Sequence, residues 1–254
     1  MTSGLVGGLP SITSEIVGGL LLVAGTAAVH RAAHLWKTRA ERRVWRPLLR
    51  NGRPLALVLT CRKGPFPRST HRTSINEVRV LLEFTPIFEK IGFEYRITDS
   101  LDATDAELSS ANLLILGGPA VNDVSRRAFD AIQDTLPVSI NLEELAITIA
   151  NRRYAPEYDA TAQKVVRDYG LVLRCRNPFD PSGRSAAFLV MGCHGFGTAG
   201  SAQLLRDPAL ARQLAAEVDQ RDFAAIAEIR VQGHEYGTHI IESFLFPRHR
   251  VGAR

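Results

Sequence analysis

Short, wholly apolar runs that alternate with helix-period segments most tightly constrain how this chain can fold. Residues 55–60 (LALVLT) and 113–116 (LLIL) are continuous apolar runs of strand length. A strand apolar on both faces must be covered on both, which a parallel sheet with crossover helices supplies. Between these runs lie a helical segment over 73–91, opened by Ser74-x-x-Glu77 and closed by Gly92, and an alternating strand over 93–98. The Ser–Glu spacing reads as a capping box and the glycine as a C-cap. A helix around 123–134 and a short strand at 138–141 continue the β-α-β-α succession. Beyond residue 142 the rhythm changes, with strand-like segments at 145–150, 170–175, 185–191, 225–232 and 238–246. The cluster Asn177-Pro-Phe-Asp-Pro-Ser-Gly183 between two of them predicts a hairpin. The expected fold class is α/β: a Rossmann-like, mostly parallel sheet with an antiparallel C-terminal elaboration.

Two glycine-rich segments fall at strand ends. The first, Gly117-Gly118-Pro119-Ala120-Val121-Asn122, joins a strand to a helix. Glycine permits close backbone approach, and the exposed N–H groups of a following helix favour an anion. Asn122 reads either as a ligand contact or as a helix cap. The second, Gly192-Cys193-His194-Gly195-Phe196-Gly197-Thr198, contains G-x-G-x-x-G at Gly195, Gly197 and Gly200. A dinucleotide fingerprint also needs an immediate strand exit and an acidic residue ending the next strand. Here Gly192-Cys193-His194 intervenes and Asp219 precedes the next strand, so the pattern indicates an anion seat and not ordinary NAD binding. In a parallel sheet both segments lie at the carboxyl edge, where open α/β sheets bind ligands. Arg68, His71 and Arg72 follow the first strand to the same edge and are suited to a phosphate or carboxylate. The candidate ligand-binding set is Arg72, Gly117, Gly118, Pro119, Asn122, Gly192, Cys193, His194, Gly195, Gly197 and Thr198. Glu77 faces the same edge, but its capping-box role already accounts for it.

Charge is distributed unevenly. Residues 1–53 hold 8 Lys and Arg against 2 acidic residues, a net of +6; the other 201 hold 23 against 24, a net of −1. The basic cluster follows residues 16–29 (IVGGLLLVAGTAAV), the one long uncharged apolar run. With its flanks, a helix over 12–33 reaches the roughly 20 residues needed to span a bilayer. No basic residue precedes the run, unlike a secretory signal peptide. The bias orients the N-terminus outward and the remainder into the cytoplasm. The expected organisation is an N-terminal transmembrane anchor over 1–36, a basic juxtamembrane helix over 37–53 and a cytoplasmic domain over 54–254. Trp36, Ala40, Val44 and Leu48 repeat at helical spacing, which also fits an interfacial helix, and Trp36 and Trp45 suit a headgroup layer. A domain of net −1 lacks the basic face that nucleic acids require.

Cys193 is the best nucleophile candidate, because a helix N-terminus lowers a thiol pKa. Its base would come from His234, Glu235, His239 or Glu242. In outline this looks like a class I glutamine amidotransferase, but that family's G-x-C-x-G elbow would need glycine at Met191, and the spacing from GGP to the cysteine is too long. Three cysteines in a reducing compartment argue against a disulfide framework, and no Cys or His spacing supports a metal site. No cofactor and no oligomeric state follow from these residues.

GGPAVN (117–122), DYGLVLRCRNPFDP (168–181) and MGCHGFGTAG (191–200) together resemble poorly characterised prokaryotic Rossmann-like domains, some membrane-linked, with GGP-x-x-N and C-H-G-x-G-T signatures. The resemblance covers residues 112–205 and implies, by analogy with SLOG-type sensors, a nucleotide-like ligand. The leading expectation is a single-pass membrane protein whose cytoplasmic domain binds a small anionic ligand, a nucleotide or derivative, as sensor or effector. The alternatives are a membrane-tethered hydrolase or transferase using Cys193 or His194, and a protein-interaction scaffold.

Overall fold

The computed structural model describes residues 39–62, 72–133, 136, 138–161, 163–218, 221–233 and 235–246; the apolar run at 16–29 and Trp36 fall outside them. Among the described residues no helix is long and apolar enough to cross a membrane. In chain order the elements are α1 (Arg39–Leu49), β1 (Leu55–Leu59), α2 (Ile75–Ile91), β2 (Tyr95–Asp99), α3 (Asp105–Ser110), β3 (Asn112–Leu116) and α4 (Asp123–Ile132). Four short strands follow: β4 (Val138–Asn141), β5 (Ala146–Ile149), β6 (Arg152–Tyr154) and β7 (Glu157–Tyr158). The chain continues through β8 (Val165–Arg176), β9 (Ala186–Gly192), α5 (Gly195–Arg206), α6 (Pro208–Val218), β10 (Phe223–Gln232) and β11 (Glu235–Leu245).

The main sheet runs β11-β10-β8-β9-β3-β1-β2, with β7 paired to β8. Strands β9, β3, β1 and β2 are mutually parallel. Strand β8 is antiparallel to β9 and β10, and β10 is antiparallel to β11. The protein is thus α/β, with parallel N-terminal strands and an antiparallel C-terminal part. The turn at 177–183 does join a hairpin, β8–β9, with Arg176 opposite Ala186. Strands β4, β5 and β6 form a separate antiparallel sheet.

The apolar runs are buried on both faces, as their composition requires. Leu55, Leu57 and Leu59 of β1 join one core with residues of α1, α2, α5 and α6. Ala56 and Val58 join a second core with residues of α3, α4 and the small sheet. Each fully buried leucine contributes about 1.5–3 kcal/mol. Strand β8 begins earlier than its apolar stretch suggests: Arg167 and Asp168 interrupt the pattern, but Arg167 is paired with Glu157 at 2.7 Å and Asp168 is hydrogen-bonded inside the protein. Helices α3 and α6 and strands β6 and β7 go beyond the sequence expectation.

The largest departure concerns residues 37–53. Trp45 lies not in a headgroup layer but at the centre of the larger core, with zero exposure. Its indole meets Phe84, Phe88 and Phe93 edge-on at 5.6, 5.2 and 6.4 Å between ring centroids, and Phe188 at 5.1 Å. Val44 and Leu48 are buried beside it, so the apolar face of α1 belongs to the α/β unit. The joint after α1 is pinned at the amino edge of the sheet. Asn112 Nδ2 donates to Leu48 O at 3.0 Å, and Arg53 Nη1 donates to Asp180 Oδ2 at 2.9 Å and Ser109 O at 3.0 Å. Removing the indole leaves a void among four aromatic rings. Trp45→Ala is therefore expected to cost about 3–5 kcal/mol in urea-denaturation stability. An unchanged midpoint would show that α1 is not part of the folding unit.

Candidate functional site

Strands β1, β3 and β9 are neighbours and parallel, so their carboxyl ends open on one rim. A cavity of about 540 Å³ lies there, within the roughly 300–1,000 Å³ typical of small-molecule sites. Its polar lining includes Thr60, Arg62, Arg72, Glu77, His194 and Thr198; its apolar wall is Ile140, Leu142, Leu145 and Ile147, from the β4–β5 hairpin. Arg62 and Arg72 exchange backbone hydrogen bonds of 3.0 and 3.1 Å, which hold both at the rim. Of the residues expected from sequence, Arg72, Gly117, Gly118, Pro119, Gly192, Cys193, His194, Gly195 and Thr198 line this cavity, and Asn122 and Gly197 are not among its lining residues. Arg68, His71 and His234 lie outside the described residues.

The first glycine turn is shaped by a carboxylate. Gly117 has φ +93°, and a Cβ there would come within 2.4 Å of Thr60 Oγ1 and 2.8 Å of Glu77 Oε1. Only glycine accommodates both the left-handed backbone and this contact. Asn122 serves the fold instead: its side chain accepts from Ser125 N at 2.9 Å and donates to Leu116 O at 2.8 Å, capping α4. Glu77 departs from the capping-box expectation in the opposite sense. Ser74 caps α2 by accepting from Asn76 N, while Glu77 turns into the cavity and accepts from Thr60 N at 2.7 Å. Glu77 is 3 % exposed, and burial pushes its carboxyl above the usual glutamate value, against hydrogen bonds from Thr60 and Thr73.

The second glycine turn is closed by a carboxylate of the protein itself. Asp168, fully buried in β8, accepts from Gly197 N at 2.5 Å, Tyr169 N at 2.8 Å and His194 N at 3.3 Å. The N-terminal end of α5, where the sequence suggests an external anion, therefore already carries an internal one. An incoming anion would have to displace it from these amides. Gly197 is needed for packing: a Cβ there would lie 2.3 Å from Tyr169 O and 2.8 Å from Gly192 Cα. Burial raises the Asp168 carboxyl, and its three amide donors oppose the shift.

Asp168 also bears on the chemistry of its neighbours. Burial, followed by the Asp168 charge, pushes the Cys193 thiol up to about 12, the reverse of activation. Its Sγ donates to Tyr154 O at 3.7 Å. His194 Nε2 lies 2.6 Å from the hydroxyl of Tyr158, a residue of the two-residue strand β7 that no local sequence signal marks. Glu242 bonds Tyr154 and, at 2.7 Å, Arg152, fastening the small sheet to β11. Among the described residues no group of three or more His, Cys, Asp or Glu side chains could hold a metal ion. No protein-family model matches the chain, and no curated protein matches it.

The two carboxylates differ in what their removal should do. Glu77 binds its proton more tightly folded than at its ordinary value of 4.5, so folding stability falls as pH rises from 4.5 through the folded value. Glu77→Gln escapes that loss. It is expected to be more stable than the wild-type chain at neutral pH, with the gain shrinking as pH falls toward 4.5 in thermal melts. A variant less stable at every pH would contradict this. Asp168→Ala strands one buried and two half-buried amides and is expected to cost about 2–4 kcal/mol by denaturant titration. An unshifted midpoint would show that the carboxylate does not close the turn.

Proposed function

We propose that this is a membrane-anchored protein whose cytoplasmic Rossmann-like domain binds a small anionic, nucleotide-like ligand in the cavity at the carboxyl ends of β1, β3 and β9, as a sensor or effector. The observation that carries the reading is the meeting of both glycine turns with Arg62 and Arg72 around one cavity. The apolar wall from the β4–β5 hairpin suits a planar ring, and the two guanidinium groups suit a phosphate. The anion is assigned to these arginines because Asp168 holds the end of α5. The resemblance of residues 112–205 to SLOG-like domains favours the same ligand class. The basic cluster behind residues 16–29 supports the anchor and the cytoplasmic side.

The competing hydrolase or transferase draws little support from Cys193, a half-buried thiol that desolvation pushes up to about 12. The scaffold reading leaves a cavity of this size without a use. The test is a thermal-shift panel of mononucleotides on the full chain in detergent micelles. A ligand at about 100 times its dissociation constant should stabilise the domain by about 2.7 kcal/mol. Arg72→Ala should weaken that ligand about tenfold, the loss of one charge-assisted contact. No shift with any nucleotide would contradict the proposal.

A further inference from the structure

We propose that Glu77 selects the ligand of this cavity, and that it selects an edge bearing two adjacent N–H donors, as a guanine ring presents; the proposal rests on the nucleotide reading above. The carboxylate lies in the first turn of α2, lines the cavity and is 3 % exposed. Its Oε2 takes the amide of Thr60 at 2.7 Å, and Oε1 lies against the bare backbone of Gly117. The Thr73 hydroxyl is its second neutral donor, the Thr60 hydroxyl donates instead to Leu116 O at 3.4 Å, and Arg62 acts on it as a more distant charge.

A carboxylate buried among neutral donors keeps much of its desolvation cost unless a further donor or a cation arrives. The space beside it is the cavity itself, so the further donor comes with the ligand. Ionised, a carboxylate only accepts, through two oxygens and about four lone-pair sites. That pattern complements two parallel N–H groups and repels an edge with an acceptor at either place. Among purine rings, guanine presents N1–H beside its exocyclic amine, hypoxanthine presents N1–H alone, and adenine sets an acceptor beside its amine. The ring would lie along Leu142, Leu145 and Ile147, with the phosphate reaching Arg72.

The test is titration calorimetry of the full chain in detergent micelles with guanosine, inosine and adenosine monophosphates. Affinity is expected to fall about tenfold from guanosine to inosine monophosphate and further to adenosine monophosphate. In Glu77→Gln, whose amide can still accept from Thr60 N, the preference for guanine should disappear while a cooperative melt remains. Equal binding of all three by the wild-type chain overturns the selection by Glu77 and leaves the nucleotide reading standing. A guanine preference that persists in a folded Glu77→Gln overturns the assignment to this residue. Binding of none overturns the nucleotide reading and this inference together. The wild-type series decides between donor edges even if the variant does not fold.

Discussion

A buried carboxylate at the end of a helix organises this molecule. Asp168 of β8 reaches across to the turn after β9 and takes the amides of His194 and Gly197. The antiparallel strand β8 is thereby locked to the last parallel crossover, and α5 is seated on the sheet closely enough that Gly197 cannot carry a side chain. The same contact removes the most obvious anion seat in the sequence. It also sets a carboxylate beside Cys193, adding to the desolvation that pushes the thiol up.

Two carboxylates thus share the rim and divide its work. Asp168 is saturated by backbone amides and serves the fold. Glu77 sits one parallel strand further along, beside Thr60 and Gly117, with the open cavity on its other side. Their surroundings explain the difference: three amides converge on one, while the other has a single amide and the Thr73 hydroxyl. A buried charge with fewer donors costs more stability, and the proposed ligand would supply the missing ones. The wall opposite comes from the small sheet, which Glu242 of β11 holds through Tyr154 and Arg152.

The parallel half of the fold was legible because β1 and β3 are apolar on both faces and alternate with helix-period segments that can cover them. A parallel sheet puts both glycine turns at the carboxyl edge, but that β3 and β9 are neighbours, which brings the turns together, is not readable from the sequence. What escaped was whatever depends on partners distant in sequence. Asp168 lies 29 residues from Gly197 and looks like a charge interrupting a strand. Glu77 matches a capping box in spacing, and only the position of Thr60, 17 residues earlier, turns it toward the cavity. In α1 the arginines mask the face made by Val44, Trp45 and Leu48, which a pattern of basic and apolar residues cannot assign to lipid or to core. The i, i+4 spacing of Val44 and Leu48 was visible; the aromatic pocket waiting for Trp45 was not.

The protein supplies its own anion at the second glycine turn, so the proposed binding falls to the first. A crystal structure of the chain soaked with guanosine monophosphate tests this most directly. The expected result is the ring edge against Glu77, the phosphate toward Arg62 and Arg72, and Asp168 still bonded to Gly197 N. A phosphate resting on the amides of 195–197, with the Asp168 carboxylate swung away, would contradict it.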